Sequence, residues 1–203
     1  MGITERREKE KKEMRGLILE TAMKLFLEEG FENVSLRRIA DKIEYSPATI
    51  YLYFKDKDEI LYALHNEGFE KLYALQQTTL DIKDPLKRLW KQGELYINFG
   101  LENPEYYNLM FIMRSPAKKI CEENQWETGL RSYGFLKDNV SECMEAGLMP
   151  MAEVEIATFS FWAHVHGVVS LIIRERCVII PEEFLPHIIK GSFDFMMEVF
   201  KKK

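Results

Sequence analysis

Hydroxyl groups and a lysine crowd one short stretch of the chain, SPATIYLYFKDK, which covers residues 46–57. Short hydroxyls, phenolic hydroxyls on long rigid rings and an ammonium group can all donate hydrogen bonds to phosphate oxygens, and the hydroxyls also reach base edges. These groups belong to Ser46, Thr49, Tyr51, Tyr53 and Lys57. The stretch is therefore a candidate surface for nucleic acid. Taken alone, this pattern also fits tyrosines that pack against a core and contact no partner.

Capping signals define the helices that must position these groups. Ser46 is a typical N-cap and Pro47 suits the first helical position, which predicts a helix over 46–53. Ser35 caps a preceding helix over 35–42, and an apolar stripe predicts a longer helix over 6–29. Three helices in this order resemble a helix-turn-helix, whose second short helix enters the major groove. The predicted DNA-contacting residues are Ser35, Arg37, Ser46, Pro47, Ala48, Thr49, Tyr51, Leu52, Tyr53 and Lys57.

Helical spacing recurs through the rest of the chain, and no stretch alternates for long as a strand would. We therefore expect an all-α protein of about nine helices, with a DNA-binding domain over 1–57 and a second helical domain over 58–203. Among the later helices, we expect one over about 117–146. Residues 1–57 carry 12 Lys and Arg against 11 Asp and Glu, whereas the whole chain has a net charge of −5. A surface for an acidic partner is thus expected in the N-terminal quarter.

Several other classes of protein are disfavoured. The three cysteines form no CxxC pair, and we expect neither a disulfide framework nor a metal site nor a cofactor. No phosphate-binding glycine loop, HExxH motif or nucleophile elbow indicates an enzyme. The first residues lack the apolar stretch of a signal peptide, which predicts a cytoplasmic location. Residues 156–173 are uncharged, but they contain two histidines, and we expect a buried helix rather than a membrane span.

The segment LFLEEGFENVSLRRIADKIEYSPATIYLYFKDKDEIL resembles the DNA-binding part of the TetR family of bacterial transcriptional regulators. The match covers about residues 17–61. It departs from the family pattern at two glycines, which are Glu44 in the turn and Ala48 in the recognition helix. Glu44 implies a strained residue or a different turn, because glycine is favoured where φ is positive. The Ala48 methyl group suits contact with a thymine methyl, which would alter base preference.

The resemblance implies a homodimer that binds a palindromic operator, usually as a repressor, and releases it when a small molecule binds the C-terminal domain. It also implies that the last two helices, about 153–176 and 182–200, form the dimer interface. Trp162, His166 and Gly167 resemble the WHG pattern of some members of this family. A core tryptophan packed on a core histidine is the plainer interpretation of that pair. The alternative function is a helical protein-interaction module that has lost specific DNA binding.

An effector pocket is expected between the helices of residues 84–173. This region is rich in aromatic and methionine side chains, which suit an apolar or planar ligand, although most of them also suit a core. The candidate lining residues are Trp90, Tyr96, Phe99, Tyr107, Phe111, Phe135, Phe159, Trp162 and His166.

Overall fold

The computed structural model describes residues 2–114 and 126–201, and every regular element within these ranges is a helix. This confirms the predicted all-α fold. The nine α-helices of the described residues are α1 (Ile3–Glu29), α2 (Leu36–Lys42), α3 (Pro47–Tyr51), α4 (Lys57–Gln77), α5 (Pro85–Glu102), α6 (Pro104–Tyr107), α7 (Glu127–Glu145), α8 (Val154–Ile173) and α9 (Leu185–Phe200). A π-helical turn (Asn108–Ile112) follows α6, and a 3-10 turn (Glu182–Phe184) precedes α9. The predicted helix over 117–146 is described only from α7 onward, because residues 117–125 lie outside the described ranges.

The chain forms two compact units. Among the described residues, the first unit contains 2–68 and 105–114, and the second contains 69–104 and 126–201. The division falls inside α4 rather than at residue 57. The functional domains 1–57 and 58–203 therefore remain a prediction, separate from this geometric division.

The first unit folds because its helix ends are capped and its apolar faces converge. The Ser35 side chain accepts a hydrogen bond from the Arg38 amide, and the Ser46 side chain accepts one from the Thr49 amide. Both predicted N-caps are thus confirmed, and Pro47 occupies the start of α3 as predicted. The buried core of this unit includes Ile18, Ala22, Leu25, Phe26, Ile39, Ile50, Phe54, Ile60, Leu61, Leu64 and Leu109.

The short helix α3 ends two residues earlier than predicted, at Tyr51. The amides of Tyr53 and Phe54 both donate to the Ile50 carbonyl, at 2.9 and 3.0 Å, and this closes the last turn. Ile50 and Phe54 are almost fully buried, and their side chains hold α3 on the unit.

The turn between α2 and α3 contains a strained residue, which is one of the two alternatives that the sequence leaves open. Glu44 adopts φ 58°, in the left-handed region. The Tyr45 amide donates to the Ala40 carbonyl at 3.0 Å, and the Glu44 amide donates to the Asp41 carbonyl at 3.3 Å. The turn therefore keeps its hydrogen bonds without a glycine.

The second unit is built on α5, which packs against both α7 and α8. Helices α7 and α8 also contact each other, and α9 packs against α8. Gly93 lets α5 approach α9 closely, because a Cβ at that position would lie 2.1 Å from Cζ of Phe193. Between α5 and α7, the buried Asn139 side chain accepts hydrogen bonds from Arg88 at 3.0 Å and from Gln92 at 2.9 Å. These polar contacts fix the register of α5 on α7.

Helix α8 is long and apolar enough to cross a membrane by length and composition, with a mean hydropathy of 1.6. In this fold it packs against α5 and α7. Only 28% of its apolar window is buried, so the buried helix that the sequence predicts is observed only in part. Its exposed face nevertheless carries Ile156, Phe159 and Leu171. On α9, Ile188, Phe195 and Val199 are also exposed.

Candidate nucleic-acid interface and aromatic cluster

Arg15 of α1 holds the end of the short helix α3. Its Nη1 donates to the Tyr53 carbonyl at 3.2 Å, and its guanidinium lies 4.2 Å from the ring centroid of Phe54. A hydrogen bond to a carbonyl just beyond the helix end, combined with a cation–π contact, orients α3 on its supporting helix. No sequence pattern marks this role, because Arg15 lies in a highly charged segment.

Two further contacts fix the helices on either side of α3. Arg38 of α2 forms an ion pair with Glu29, with Nη2 2.6 Å from Oε1 and Nε 3.0 Å from the same oxygen. Lys57 begins α4, and its Nζ donates to the Phe31 carbonyl at 2.8 Å. One of the three Lys57 donors is therefore used within the unit. Asp56 caps α4 by accepting a hydrogen bond from the Glu59 amide at 2.8 Å.

The small hydroxyls of the candidate interface serve mainly as caps. Ser46 Oγ lies 3.0 Å from Thr49 Oγ1, in addition to accepting the Thr49 amide. Ser35 Oγ accepts the Arg38 amide at 3.2 Å. A hydroxyl oxygen has two lone pairs and one proton, so each group keeps some capacity for a second partner.

The outward face of α3 carries side chains that are largely exposed to solvent. Tyr51 is 59% exposed and Leu52 is 77% exposed, and Ala48 is also exposed. Tyr53 differs, because it is half-buried and packs against the core of the unit. Of the two predicted tyrosine contacts, Tyr51 is thus the one that projects into solvent.

A groove of about 630 Å³ brings five of the ten predicted DNA-contacting residues together. Its wall is formed by the start of α2, the start and end of α3, and the start of α4. The five residues are Ser35, Arg37, Pro47, Tyr51 and Lys57. Lys55 also lines it, together with the acidic Glu32 and Asp56. The groove therefore combines three cations and one phenol with two carboxylates.

In the second unit, α5 and α8 bring three of the predicted ligand-binding residues into one hydrogen-bonded chain. Trp162 Nε1 donates to the Tyr96 hydroxyl at 3.2 Å, and that hydroxyl lies 3.4 Å from His166 Nδ1. Burial lowers the pKa of His166, which favours the neutral ring. A neutral His166 with its proton on Nε2 can accept the Tyr96 hydroxyl proton at Nδ1.

Aromatic rings surround this chain. Phe159 and Tyr133 each stand edge-on to Trp162, with centroids 6.1 Å apart. The Tyr133 hydroxyl donates to Glu155 Oε2 at 3.3 Å, and burial together with this carboxylate raises the pKa of Tyr133. We call Tyr96, Tyr133, Phe159, Trp162 and His166 the aromatic cluster.

The other predicted ligand-binding residues lie elsewhere. Trp90 packs edge-on to Phe193, Phe135 packs edge-on to Tyr73, and Phe99 is buried. The ring centroids of Tyr107 and Phe111 lie 5.1 Å apart, and both residues belong to the first unit rather than to the second. The sequence could not assign them, since α6 follows α5 directly along the chain.

Two grooves of the second unit involve residues that the sequence did not single out. One, of about 400 Å³, lies between α5 and α9 and is lined by Glu94, Asn98, Lys190 and Phe193 among others. The other, of about 410 Å³, lies between α8 and α9 and is mostly apolar. His164 lines the second groove, and burial lowers its pKa. Neither groove is lined by any of the nine predicted ligand-binding residues.

Family comparisons cover both parts of the chain. The family described as "Bacterial regulatory proteins, tetR family" matches residues 18–64. The family described as "Tetracyclin repressor-like, C-terminal domain" matches residues 89–200, which is more than half of the chain.

Individual proteins agree with this. An HTH-type transcriptional regulator of Staphylococcus aureus (strain USA300) is 48% identical over 54 residues, which is 27% of this chain and 29% of that protein. The curated match is thus confined to less than a third of the relative's length. Among solved structures, a Rhodococcus sp. RHA1 protein of unknown function has a TM-score of 0.77 at 21% identity, over 93% of this chain and 95% of that one. The fatty acid degradation regulator FadR from Bacillus halodurans has a TM-score of 0.73 at 17% identity, over 90% and 94%. At these identities, the two structures establish the shared fold.

Proposed function

Because the chain belongs to the TetR family of bacterial regulatory proteins, we propose that it is a repressor that binds a palindromic operator as a homodimer and is released by a small apolar or aromatic molecule. In this proposal, residues 1–57 bind DNA, and residues 58–203 bind the effector and form the dimer. The protein acts in the cytoplasm, where its DNA is.

The observation that carries the DNA-binding part is the outward face of α3. Tyr51 and Leu52 project into solvent, while Ile50 and Phe54 anchor the helix from behind. Beside this face, Arg37, Lys55 and Lys57 line one groove. An exposed short helix flanked by cations is what a helix-turn-helix requires, since cations hold phosphates while the helix reaches the bases.

Exposed apolar side chains on the last two helices support the homodimer. On α9, Ile188, Phe195 and Val199 follow helical spacing and lie on one face. On α8, Ile156 and Phe159 are exposed close together. Contiguous apolar surface of this kind is typical of a protein–protein interface, and two copies of α8 and α9 would form a four-helix bundle.

The aromatic cluster supports the effector part. It combines apolar rings with a chain of hydrogen-bonding groups from Trp162 through Tyr96 to His166. Small-molecule sites commonly have this composition, because apolar walls supply affinity and a few polar groups supply orientation. Fatty acids and planar aromatic compounds are therefore the first effectors to test, and one protein of similar fold regulates fatty acid degradation.

The experiment is a footprint of the purified full chain on the intergenic DNA upstream of its own gene, with excess competitor DNA and across a salt series. We expect a protected palindrome whose two halves are about one helical turn, ~34 Å, apart. Fatty acids and planar aromatics are then added one at a time, and an effector is expected to remove the protection.

Weak binding that competitor and moderate salt both erase would contradict this proposal if a random-sequence selection also yields no preferred site. That outcome would favour a helical protein-interaction module. Protection that persists with every compound in the panel would contradict only the effector class.

A further inference from the structure

The recognition helix has an unusual chemical composition for a DNA reader. Residues 46–54 read SPATIYLYF and contain no charged, amide or imidazole side chain. Paired hydrogen bonds to guanine come mainly from Arg or Lys, and those to adenine come from Asn or Gln. Helix α3 therefore lacks the side chains that identify guanine or adenine in this way.

The hydroxyls that remain are mostly engaged within the protein. Ser46 and Thr49 bond to each other at the cap, and Tyr53 is half-buried against the core. Tyr51 is the phenol that stands exposed on α3. A single hydroxyl that can both donate and accept discriminates poorly among bases, so another kind of contact must supply base preference.

Apolar side chains occupy the rest of the exposed face. Leu52 is the C-cap of α3 and keeps helical backbone angles, φ −71° and ψ −18°. Ala48 and Leu52 are four residues apart, so they lie on the same side of the helix. Leu52 is 77% exposed, in contrast to the buried Ile50 and Phe54 of the same segment. The apolar group that B-DNA offers in its major groove is the C5-methyl of thymine.

We propose that α3 selects its operator through thymine methyl groups, which Ala48 and Leu52 contact in the major groove. This inference rests on the proposed function, because it assumes that α3 enters DNA. Arg37 and Lys55 line the groove beside α3. In this proposal they hold phosphates, which fixes position without reading sequence. The operator half-sites consequently contain thymines at the positions that face α3.

The test uses duplexes that the full chain selects from a random-sequence pool in the presence of competitor DNA. The best duplex is remade with 2′-deoxyuridine in place of one thymine at a time, which removes only the methyl group. We expect at least one such replacement in each half-site to weaken binding about fourfold, the effect of one buried methyl group. Fluorescence anisotropy at one fixed salt concentration measures the change.

Three variants assign the methyl contact to this helix. Leu52→Ala and Ala48→Gly each remove the side-chain atoms that would contact a thymine methyl group. In each variant, replacing that thymine with deoxyuridine should therefore no longer weaken binding. Leu27→Ala is the matched control, because Leu27 is an exposed leucine on α1 of the same unit. It should retain the full sensitivity. Thermal melting confirms that each variant is folded.

The outcomes separate this proposal from the one on which it rests. Selected sites whose affinity is unchanged by every deoxyuridine replacement, or half-sites without thymine, would overturn methyl readout and leave DNA binding intact. Sensitivity that persists unchanged in both α3 variants would also overturn it. Failure to select any preferred duplex would overturn the proposed function, and methyl readout with it.

Discussion

At the scale of single residues, the exposed fraction of each side chain distinguishes those that can contact a partner from those that hold α3 in place. Ile50 and Phe54 are buried, whereas Tyr51 and Leu52 are exposed within the same two turns. Substitutions on the outward face should therefore change DNA binding without changing stability.

Tyr51→Ala should weaken operator binding about ten- to a hundredfold, which corresponds to losing a hydrogen bond to a charged phosphate. The melting temperature should not change, because the side chain is mostly exposed. Anisotropy titrations and a thermal melt of the same sample check both statements. A clear drop in melting temperature would mean that Tyr51 packs in the native state.

Glu44→Gly should stabilise the first unit by about 0.5–1 kcal/mol. Glu44 has φ 58°, and this backbone conformation raises the free energy of the folded state by about 1–2 kcal/mol for a residue with a Cβ. Glycine removes that strain, but it also gives the unfolded chain more conformational entropy, which offsets part of the gain in stability. Glu175→Gly is a matched variant in the second unit, since Glu175 has φ 53°. Urea unfolding of each variant measures the gain. A loss of stability in Glu44→Gly would show that the glutamate side chain supports the turn.

Sequence was informative about single residues wherever the controlling interaction is local. Ser35, Ser46 and Pro47 were assigned correctly because a cap bonds to residues two or three positions away. Arg15 was missed because its partners lie 38 and 39 positions along the chain. No local pattern marks a contact of that separation.

At the scale of elements, close approach of α5 to α9 depends on one glycine. Gly93→Ala should destabilise the second unit by about 1–3 kcal/mol, because the new methyl overlaps the buried ring of Phe193. Gly134→Ala on α7 is the matched control, since a Cβ there meets nothing within 4 Å. The control should be neutral or stabilising by up to ~1 kcal/mol, as helix propensity predicts. Chemical denaturation distinguishes the two, and equal effects would contradict the packing argument.

The two histidines of α8 should make the stability of the second unit depend on pH. Burial lowers the pKa of both His164 and His166 in the folded state, so the unfolded chain binds more protons below its own pKa of about 6.5. The stability that the two neutral histidines contribute to the folded state is therefore fully present above a pH of about 6.5. It is lost as the pH falls towards and through their lower pKa values in the folded state. Each histidine contributes at most about 1.4 kcal/mol per pH unit.

Urea unfolding at pH 7.5 and 5.5 measures this dependence. The double variant His164→Gln, His166→Gln should reduce it. A pH dependence that the double variant retains in full would assign it to other groups.

Element positions were predicted well, but element faces were not. The sequence located α8 and α9 because their apolar runs are long, yet it predicted a buried α8, whereas Ile156, Phe159 and Leu171 of that helix are exposed. Helical spacing identifies residues that share a face, but it does not indicate whether that face meets its own chain or a partner. The same limit explains why Tyr107 and Phe111 were grouped with residues of the other unit.

At the scale of the whole molecule, the exposed stripe on α9 should control assembly. Phe195→Lys should convert a dimer into a species with the 24.0 kDa mass of one chain, because a charge would be buried in the interface. Leu130→Lys is the matched control, since Leu130 is an exposed leucine on α7 of the same unit. Sedimentation equilibrium measures the masses. A wild-type chain that is monomeric at micromolar concentration would contradict the four-helix interface.

Assembly and DNA binding are then linked, because a palindromic site needs both copies of α3. The central claim is that α3 of a dimer recognises a specific sequence. The most direct measurement is the affinity of the full chain for its selected operator, relative to a scrambled duplex of the same composition at physiological salt. We predict a ratio of about 10³ or more, which decreases in Leu52→Ala because that variant loses a contact to a base. A ratio near one would contradict sequence recognition by α3.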